Sequence, residues 1–409
     1  RCFAPLYFWL FTTGIAQGQA LKSWMNDVVG EEHIIKNNQE ELAFLIDEEH
    51  YLALREHQTN SLKMVRRISD GRVVVVGSGL EESTRSKLRA LLVNNKWKWS
   101  ESVFRLKKFK KVTFLVSLVS DDTIEIQEII DKYQLSHIRS RYYSGFGTKS
   151  ELTQLAQFGS VRYISLASLE AKEESRVIDL NLNPNRIAKV HAKSPHLDGD
   201  SLTVSVKERA FDPSDVDLRG RSYLSGLESA DISSHATEMA TVIAGAGNSF
   251  ITGRGVASGA LLTGASFEVL FPENLSDYKR LNIHVQNHSY GTEVENYYGL
   301  SAQAYDQSVI DYPTLVHIFS AGNSGDVNPV EGDYAGVGAY ANLTGNFKNA
   351  KNVLTVGAVD TVGRSQFFSS RGPSGDGRIK PDLSAYSMVG SSNSAALVSG
   401  TVLLMQQQF

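Results

Sequence analysis

The sequence predicts an α/β protein with a small α+β domain ahead of it. Three observations carry that expectation. In the C-terminal half, short strand-like runs (Leu202–Val206, Ile283–Asn287, Val316–Phe319 and Val353–Ala358) alternate with helix-like stretches at Ser234–Gly245 and Ala395–Met405. The first of those runs leads straight into Lys207-Glu208, which sets an acid at the C-terminal end of a strand, the edge where sites form in open α/β sheets. Ahead of them, residues 112–165 read as strand, helix, strand, helix, strand.

A chain of 409 residues has room for two or three domains and a large core. Apolar residues at 42% and charged residues at 21% match a soluble globular protein. A formal charge of −4 provides no basic footprint, which argues against a nucleic-acid partner. The chain opens with Arg1, an apolar run from Cys2 to Ile15 and the small-residue stretch Ala16-Gln17-Gly18-Gln19-Ala20. That is the layout of a secretory signal over residues 1–20, too short for a stable membrane span; a buried N-terminal helix is the alternative. The single cysteine, Cys2, lies inside it, so the mature chain would have neither a disulfide framework nor a cysteine nucleophile. Export without disulfides points to a bacterial-type secreted, cell-surface or periplasmic protein. The absence of an initiating Met and the stop at Phe409 within an apolar helical run lead to the expectation of a fragment of a longer protein, its C-terminal domain incomplete.

Residues 21–110 form an N-terminal leader region. Arg72–Val76 is a strand, and Glu81–Val93 reads as a helix. Gly77-Ser78-Gly79 between them lacks the third glycine of a dinucleotide fingerprint, so it reads as a plain strand-to-helix turn. Residues 111–168 carry a sharper pattern. Val112–Leu118 alternates as a strand, Asp121 or Asp122 can cap a helix, and Ile126, Ile129, Ile130 and Tyr133 fall on one helical face. A strand from His137 to Tyr143, a turn at Ser144-Gly145-Phe146-Gly147, a helix from Ser150 ended by Gly159 and a strand at Val161–Ser165 complete it. This β-α-β-α-β layout, with its Ser-Gly-Phe turn, resembles the inhibitory prosegment of subtilisin-like proteases. Residues 169–195, polar and carrying Pro184 and Pro195, read as a linker.

The chemistry-bearing stretches lie in residues 196–409. Gly390-Ser391-Ser392 precedes an almost wholly apolar helix, which places a serine where unpaired N–H groups and the positive end of a helix dipole converge. A nucleophile that forms an oxyanion gains from that position, though an N-cap serine on a core helix has the same look. Ser234-His235-Ala236-Thr237 opens a helix. Ser289-Tyr290-Gly291 and Ala321-Gly322-Asn323-Ser324-Gly325 each follow a strand. Asn323 suits a turn, and its amide can equally donate to an oxyanion.

In order, these segments resemble a subtilisin-family serine protease from about Leu202 onward. The matches are the strand with its terminal acid, His-x-Thr, Asn-x-Ser-x-Gly, Ala-Gly-Asn-Ser-Gly, Phe-Ser-Ser-Arg-Gly-Pro at Phe368–Pro373, Lys-Pro-Asp at Lys380–Asp382, and Gly-Ser-Ser. Acid, histidine, serine is the subtilisin order. The resemblance implies a mostly parallel sheet with helices on both faces and a secreted serine endopeptidase made as a zymogen. It implies Ser392 as nucleophile, His235 as base, Asn323 in the oxyanion hole, and backbone groups of Ser289, Tyr290 and Gly291 holding an extended polypeptide substrate. It also implies the chain's own prosegment as an intramolecular inhibitor, cut off between Ser168 and Val177. The reaction requires no cofactor. Structural calcium is common in the family, but no acidic cluster here identifies a site.

The departures are specific. Glu208 stands where the family has aspartate, with Asp212 as the rival acid; a glutamate can still hold the histidine tautomer from a backbone set farther back. Ala236 replaces a glycine, Glu238 a histidine, Ser391 a threonine and Ala396 a proline. Two other functions stay open at this level. One is a subtilisin-fold binding or structural module that has lost turnover, which Glu208 favours. The other is a serine hydrolase of another class, such as an esterase.

Overall fold

The computed structural model describes residues 34–36, 39–56, 63–67, 72–77, 89–119, 123–167, 170–174, 180–330 and 333–409, with 25, 27–29 and 84 besides. The signal-like segment, Ser78-Gly79, Asp121 and Asp122 lie outside them. The chain divides into two compact units, Arg1–Ala167 and Ser168–Phe409.

The first unit holds two antiparallel sheets. One contains β1 (Ile34–Lys36), β2 (Gln39–Asp47), β3 (Lys63–Arg67) and β4 (Arg72–Gly77), in the order β1-β2-β4-β3, with α1 (Glu48–Glu56) following β2. Leu91–Val93, expected as the end of a helix, is instead strand β5, paired with Ala43–Leu45. Three consecutive aliphatic residues beside an open strand edge are satisfied there by a ladder. After α2 (Glu101–Phe104) comes the second sheet: β6 (Val112–Leu118), α3 (Thr123–Tyr133), β7 (Ser136–Arg139), β8 (Tyr142–Gly147), α4 (Lys149–Leu155) and β9 (Val161–Leu166), with strand order β7-β8-β6-β9.

Two expectations are corrected in this sheet. His137–Tyr143 is a hairpin broken at Ser140, whose φ of 49° turns the chain, rather than one strand. Ser144–Gly147 is not a turn but part of β8, in register with Val112–Leu115. The glycine has a packing reason: a Cβ on Gly145 would sit 2.5 Å from the Phe114 ring and 2.7 Å from Leu135. Helix α4 starts with a reciprocal capping box between Thr148 and Glu151, and the core closes around Phe114, Val116, Ile129, Leu152, Leu155 and Ile164.

The second unit is built on a six-stranded parallel sheet. Its elements are β10 (Lys172–Glu173), α5 (Ile187–Lys193), β11 (Thr203–Glu208), α6 (Ser234–Ala244), β12 (Leu261–Ser266), α7 (Leu275–Arg280), β13 (Ile283–His288), β14 (Tyr290–Gly291), α8 (Leu300–Asp311), β15 (Val316–Ser320), β16 (Leu354–Val359), β17 (Leu383–Tyr386) and α9 (Ser391–Gln408). The sheet order is β12-β11-β13-β15-β16-β17, parallel throughout. Alternate residues of one strand serve opposite faces: Ile318 joins the core formed with α6 and α9, and Phe319 the core formed with Tyr305 of α8. Helices therefore cover both faces, and strands buried on both sides read as near-continuous apolar runs.

Within the stretch expected as a linker, α5 is anchored rather than free. Ile187 is buried in the α6–α9 core, Leu180 and Leu182 pack against it, and the His191 ring bonds the Val256 carbonyl at 2.7 Å. Those three aliphatics fix an otherwise polar segment. Among the described residues no helix is long and apolar enough to cross a membrane.

Candidate active site

Parallel strands all end on the same edge, so the residues just after β11, β13 and β15 come together whatever their distance in sequence. Glu208 is the last residue of β11 and is fully buried. His235 is the second residue of α6, whose N-cap Ser233 accepts from the His235 N–H at 3.0 Å. The cap fixes where the imidazole leaves the helix. His235 Nδ1–H donates to Glu208 Oε2 at 2.6 Å, both groups shielded from water. The rival acid is occupied elsewhere: the Asp212 carboxylate accepts from the Ser214 N–H and hydroxyl, which hold it below the usual aspartate range.

Burial pulls His235 down, but the Glu208 charge and hydrogen bond, with the charges of Glu173 and Glu238, outweigh it and push it up to about 9. Burial pushes the Glu208 carboxyl up, against the opposing pull of His235. His235 Nε2 is buried with no hydrogen-bond partner among the described residues, as is Glu208 Oε1. An imidazole oriented at Nδ1 and open at Nε2 can take and return a proton.

Ser391 and Ser392 open α9. The Ser392 hydroxyl donates to the Ser289 carbonyl at 3.2 Å, and the Ser289 hydroxyl donates back to the Ser392 carbonyl at 3.2 Å. In this structure Ser392 is thus hydrogen-bonded to Ser289 rather than to His235. Asn323 is aimed by Ser391: its Oδ1 accepts from the Ser391 N–H at 2.9 Å and hydroxyl at 3.1 Å, which leaves its N–H₂ turned the other way. That N–H₂ donates to the backbone carbonyl of Glu174 at 3.0 Å.

Glu174 ends a described segment that lies across this edge. Strand β10 pairs antiparallel with β14, Lys172 opposite Gly291 and Glu173 opposite Tyr290. Of the substrate-holding trio expected from sequence, Tyr290 and Gly291 supply this ladder through their backbone, while the Tyr290 side chain is buried beside Tyr305 and His288. The Glu174 carboxylate enters a recess where Ser320 donates to Oε2 at 2.6 Å, Lys348 reaches Oε1 at 3.0 Å, and Thr344 bonds the same oxygen. Sequence reading passed over Ser320, Thr344, Lys348, Glu173 and Glu174. Only the last two lay within the interval where a cut was expected.

Glu173, Glu208 and His235 have ligand atoms within 4.8 Å of one another. Two carboxylates and an imidazole already engaged at Nδ1 do not fit calcium, which takes six to eight oxygens.

The sequence model described as the Subtilase family matches residues 199–409. Among solved structures, a variant of the epidermin leader peptide processing serine protease from Staphylococcus aureus is 14% identical, covers 72% of this chain and 89% of that one, and has a TM-score of 0.52. Fervidolysin from Fervidobacterium pennivorans, a keratinolytic enzyme related to subtilisin, is 17% identical, covers 76% of this chain and 56% of that one, and has a TM-score of 0.48.

Proposed function

The chain belongs to the subtilase family of serine peptidases, and from that premise we propose that it is a secreted endopeptidase made as a zymogen, with Ser392, His235 and Glu208 as its triad. The observation that carries this reading is the carboxylate on His235 Nδ1 at 2.6 Å, beside an asparagine amide that donates to the carbonyl of a strand laid on Tyr290–Gly291.

Ser392 Oγ attacks the peptide carbonyl carbon as its proton passes to His235 Nε2. For this the hydroxyl rotates off the Ser289 carbonyl; catalytic hydrogen bonds of resting enzymes commonly tighten only with substrate in place. The carbonyl oxygen takes up negative charge where the Asn323 N–H₂ donates, and Glu208 stabilises the imidazolium without taking its proton. His235 then protonates the leaving amine, and water, deprotonated by His235, releases the acyl group from Ser392. The extended backbone pairing gives main-chain affinity common to many polypeptides, and side-chain recesses give selectivity. Residues 111–168, with the segment that follows, act as the chain's own inhibitor until removed. Export rests on the signal-like first 20 residues and on a chain without a structural disulfide.

Intact mass tests the reading. The wild type is expected to lose its leader between Ser168 and Val177 while Ser392→Ala stays full length. Glu208→Ala should slow the loss by about 10⁴-fold, a magnitude borrowed from a subtilisin. If Ser392→Ala is processed at the wild-type rate, Ser392 is not the nucleophile.

A further inference from the structure

On that reading of Ser392, His235 and Asn323, the segment lying in the cleft bears on which bond is cut and for which side chain. We propose that the enzyme is selective for glutamate on the acyl side of the scissile bond, that Lys348 sets the selectivity, and that the chain removes its own leader at the peptide bond following Glu174.

Position comes first. The carbonyl that receives the Asn323 amide belongs to Glu174, so the peptide group carrying the oxygen to be stabilised is the one after Glu174. The two residues before it run antiparallel to Tyr290–Gly291, as a substrate strand would. The residue at this position projects its side chain into the recess made by Gly291, Ser320, Thr344 and Lys348.

Chemistry comes second. Lys348 is fully buried, and among the described residues Glu174 is its only ion-pair partner. Its other contacts are hydroxyls, Thr344 Oγ1 at 2.7 Å and Ser320 Oγ at 3.4 Å. Burial holds the Lys348 ammonium below the usual lysine range, and the charge and hydrogen bond of Glu174 offset only part of that. A desolvated cation facing hydroxyls with no resident carboxylate is costly until an anion arrives. All three donors meet one carboxylate, so an incoming glutamate is fully bonded, whereas an apolar or neutral side chain leaves the ammonium unpaired. An aspartate is one methylene short of that depth.

Shape comes third. A Cβ on Gly291 would collide with the Glu174 carboxylate and the Thr344 hydroxyl, so the glycine keeps the recess open on the strand side.

The test uses the full chain and peptides that differ only in the residue before the cut, Glu, Gln, Asp, Leu or Lys. A fluorophosphonate label on Ser392 monitors the catalytic machinery in each sample. Sites built to bond a charged or polar group discriminate steeply, so kcat/KM for Glu should exceed that for Gln by about 100-fold or more. Lys348→Met should erase that ratio and raise cleavage after Leu relative to Glu. The new N-terminus of the processed wild type should follow Glu174, and Glu174→Gln should slow processing by a similar factor. Enzyme that takes the label in a separate aliquot yet, unlabelled, cuts Glu and Gln peptides equally, or a leader lost at another bond with Glu174→Gln processed normally, overturns the selectivity while leaving the protease reading intact. No label and no cleavage of any peptide overturns both.

Discussion

In the proposed mechanism a neutral imidazole takes the Ser392 proton, so the titration of His235 would set the pH at which the chain acts. With Glu208, Glu173 and Glu238 around it, His235 is pushed up to about 9 and stays protonated through neutral pH. Self-processing is therefore expected to accelerate as pH rises toward 9. In Glu173→Gln one negative charge is gone and the imidazole loses its proton more easily, so the acid limb of the rate profile should move to lower pH. Leader loss followed by mass across a pH series measures both; superimposable profiles would mean Glu173 does not act on His235. Ser392, His235, Asn323 and Glu208 could be picked out as candidates because each stands at a strand or helix end within a stretch that resembles a subtilisin-family motif. Lys348 gave no such mark. In Asn346-Phe347-Lys348-Asn349 it stands among polar residues, and the fold buries its ammonium against Ser320 at the end of β15, Thr344 and Glu174. The role of Ser391 was similarly hidden: it reads as a mild replacement, yet its N–H and hydroxyl decide which end of the Asn323 amide faces the cleft.

The N-cap of α6 does two jobs, since the hydroxyl that ends the helix also holds the N–H of the residue carrying the imidazole. Ser233→Ala should cost about 1 kcal/mol, lowering Tm by roughly 2–4 °C in a unit of this size. Calorimetry of the Ser392→Ala background, which stays uncut, measures it; an unchanged Tm would show the cap to be dispensable. Legibility at this scale followed burial. Strands β11, β13, β15 and β16 are sandwiched between helices and stood out as apolar runs. Strands β12, with Thr263-Gly264-Ala265-Ser266, and β17, only four residues long, are edge strands whose small and polar residues resemble loop, and both were missed. Ser144–Gly147 was misread for the converse reason, a turn-like composition in a strand that leaves room for Phe114.

For the molecule as a whole, the segment in the cleft and the groups that would cut it belong to one compact unit of one chain. Attack within a chain is governed by effective concentration rather than by collision, so the half-time of processing should be constant over about a hundredfold range of protein concentration. A half-time that shortens with concentration would show cleavage between molecules. The architecture was legible here from the order of short motifs, whereas the anchoring of α5 was not, because three aliphatics in a polar stretch carry little signal until a core exists to receive them.

The pairing of Glu174 with Lys348 also ties two distant codons together. One position writes the cleavage rule and the other is the first text to which it is applied. A lineage in which Lys348 drifts to a neutral residue inherits a leader it trims more slowly, and its preference among later substrates shifts with it. Positions 174 and 348 are therefore expected to change together or stand still, and the maturation of each new molecule proofreads the specificity of the enzyme it becomes.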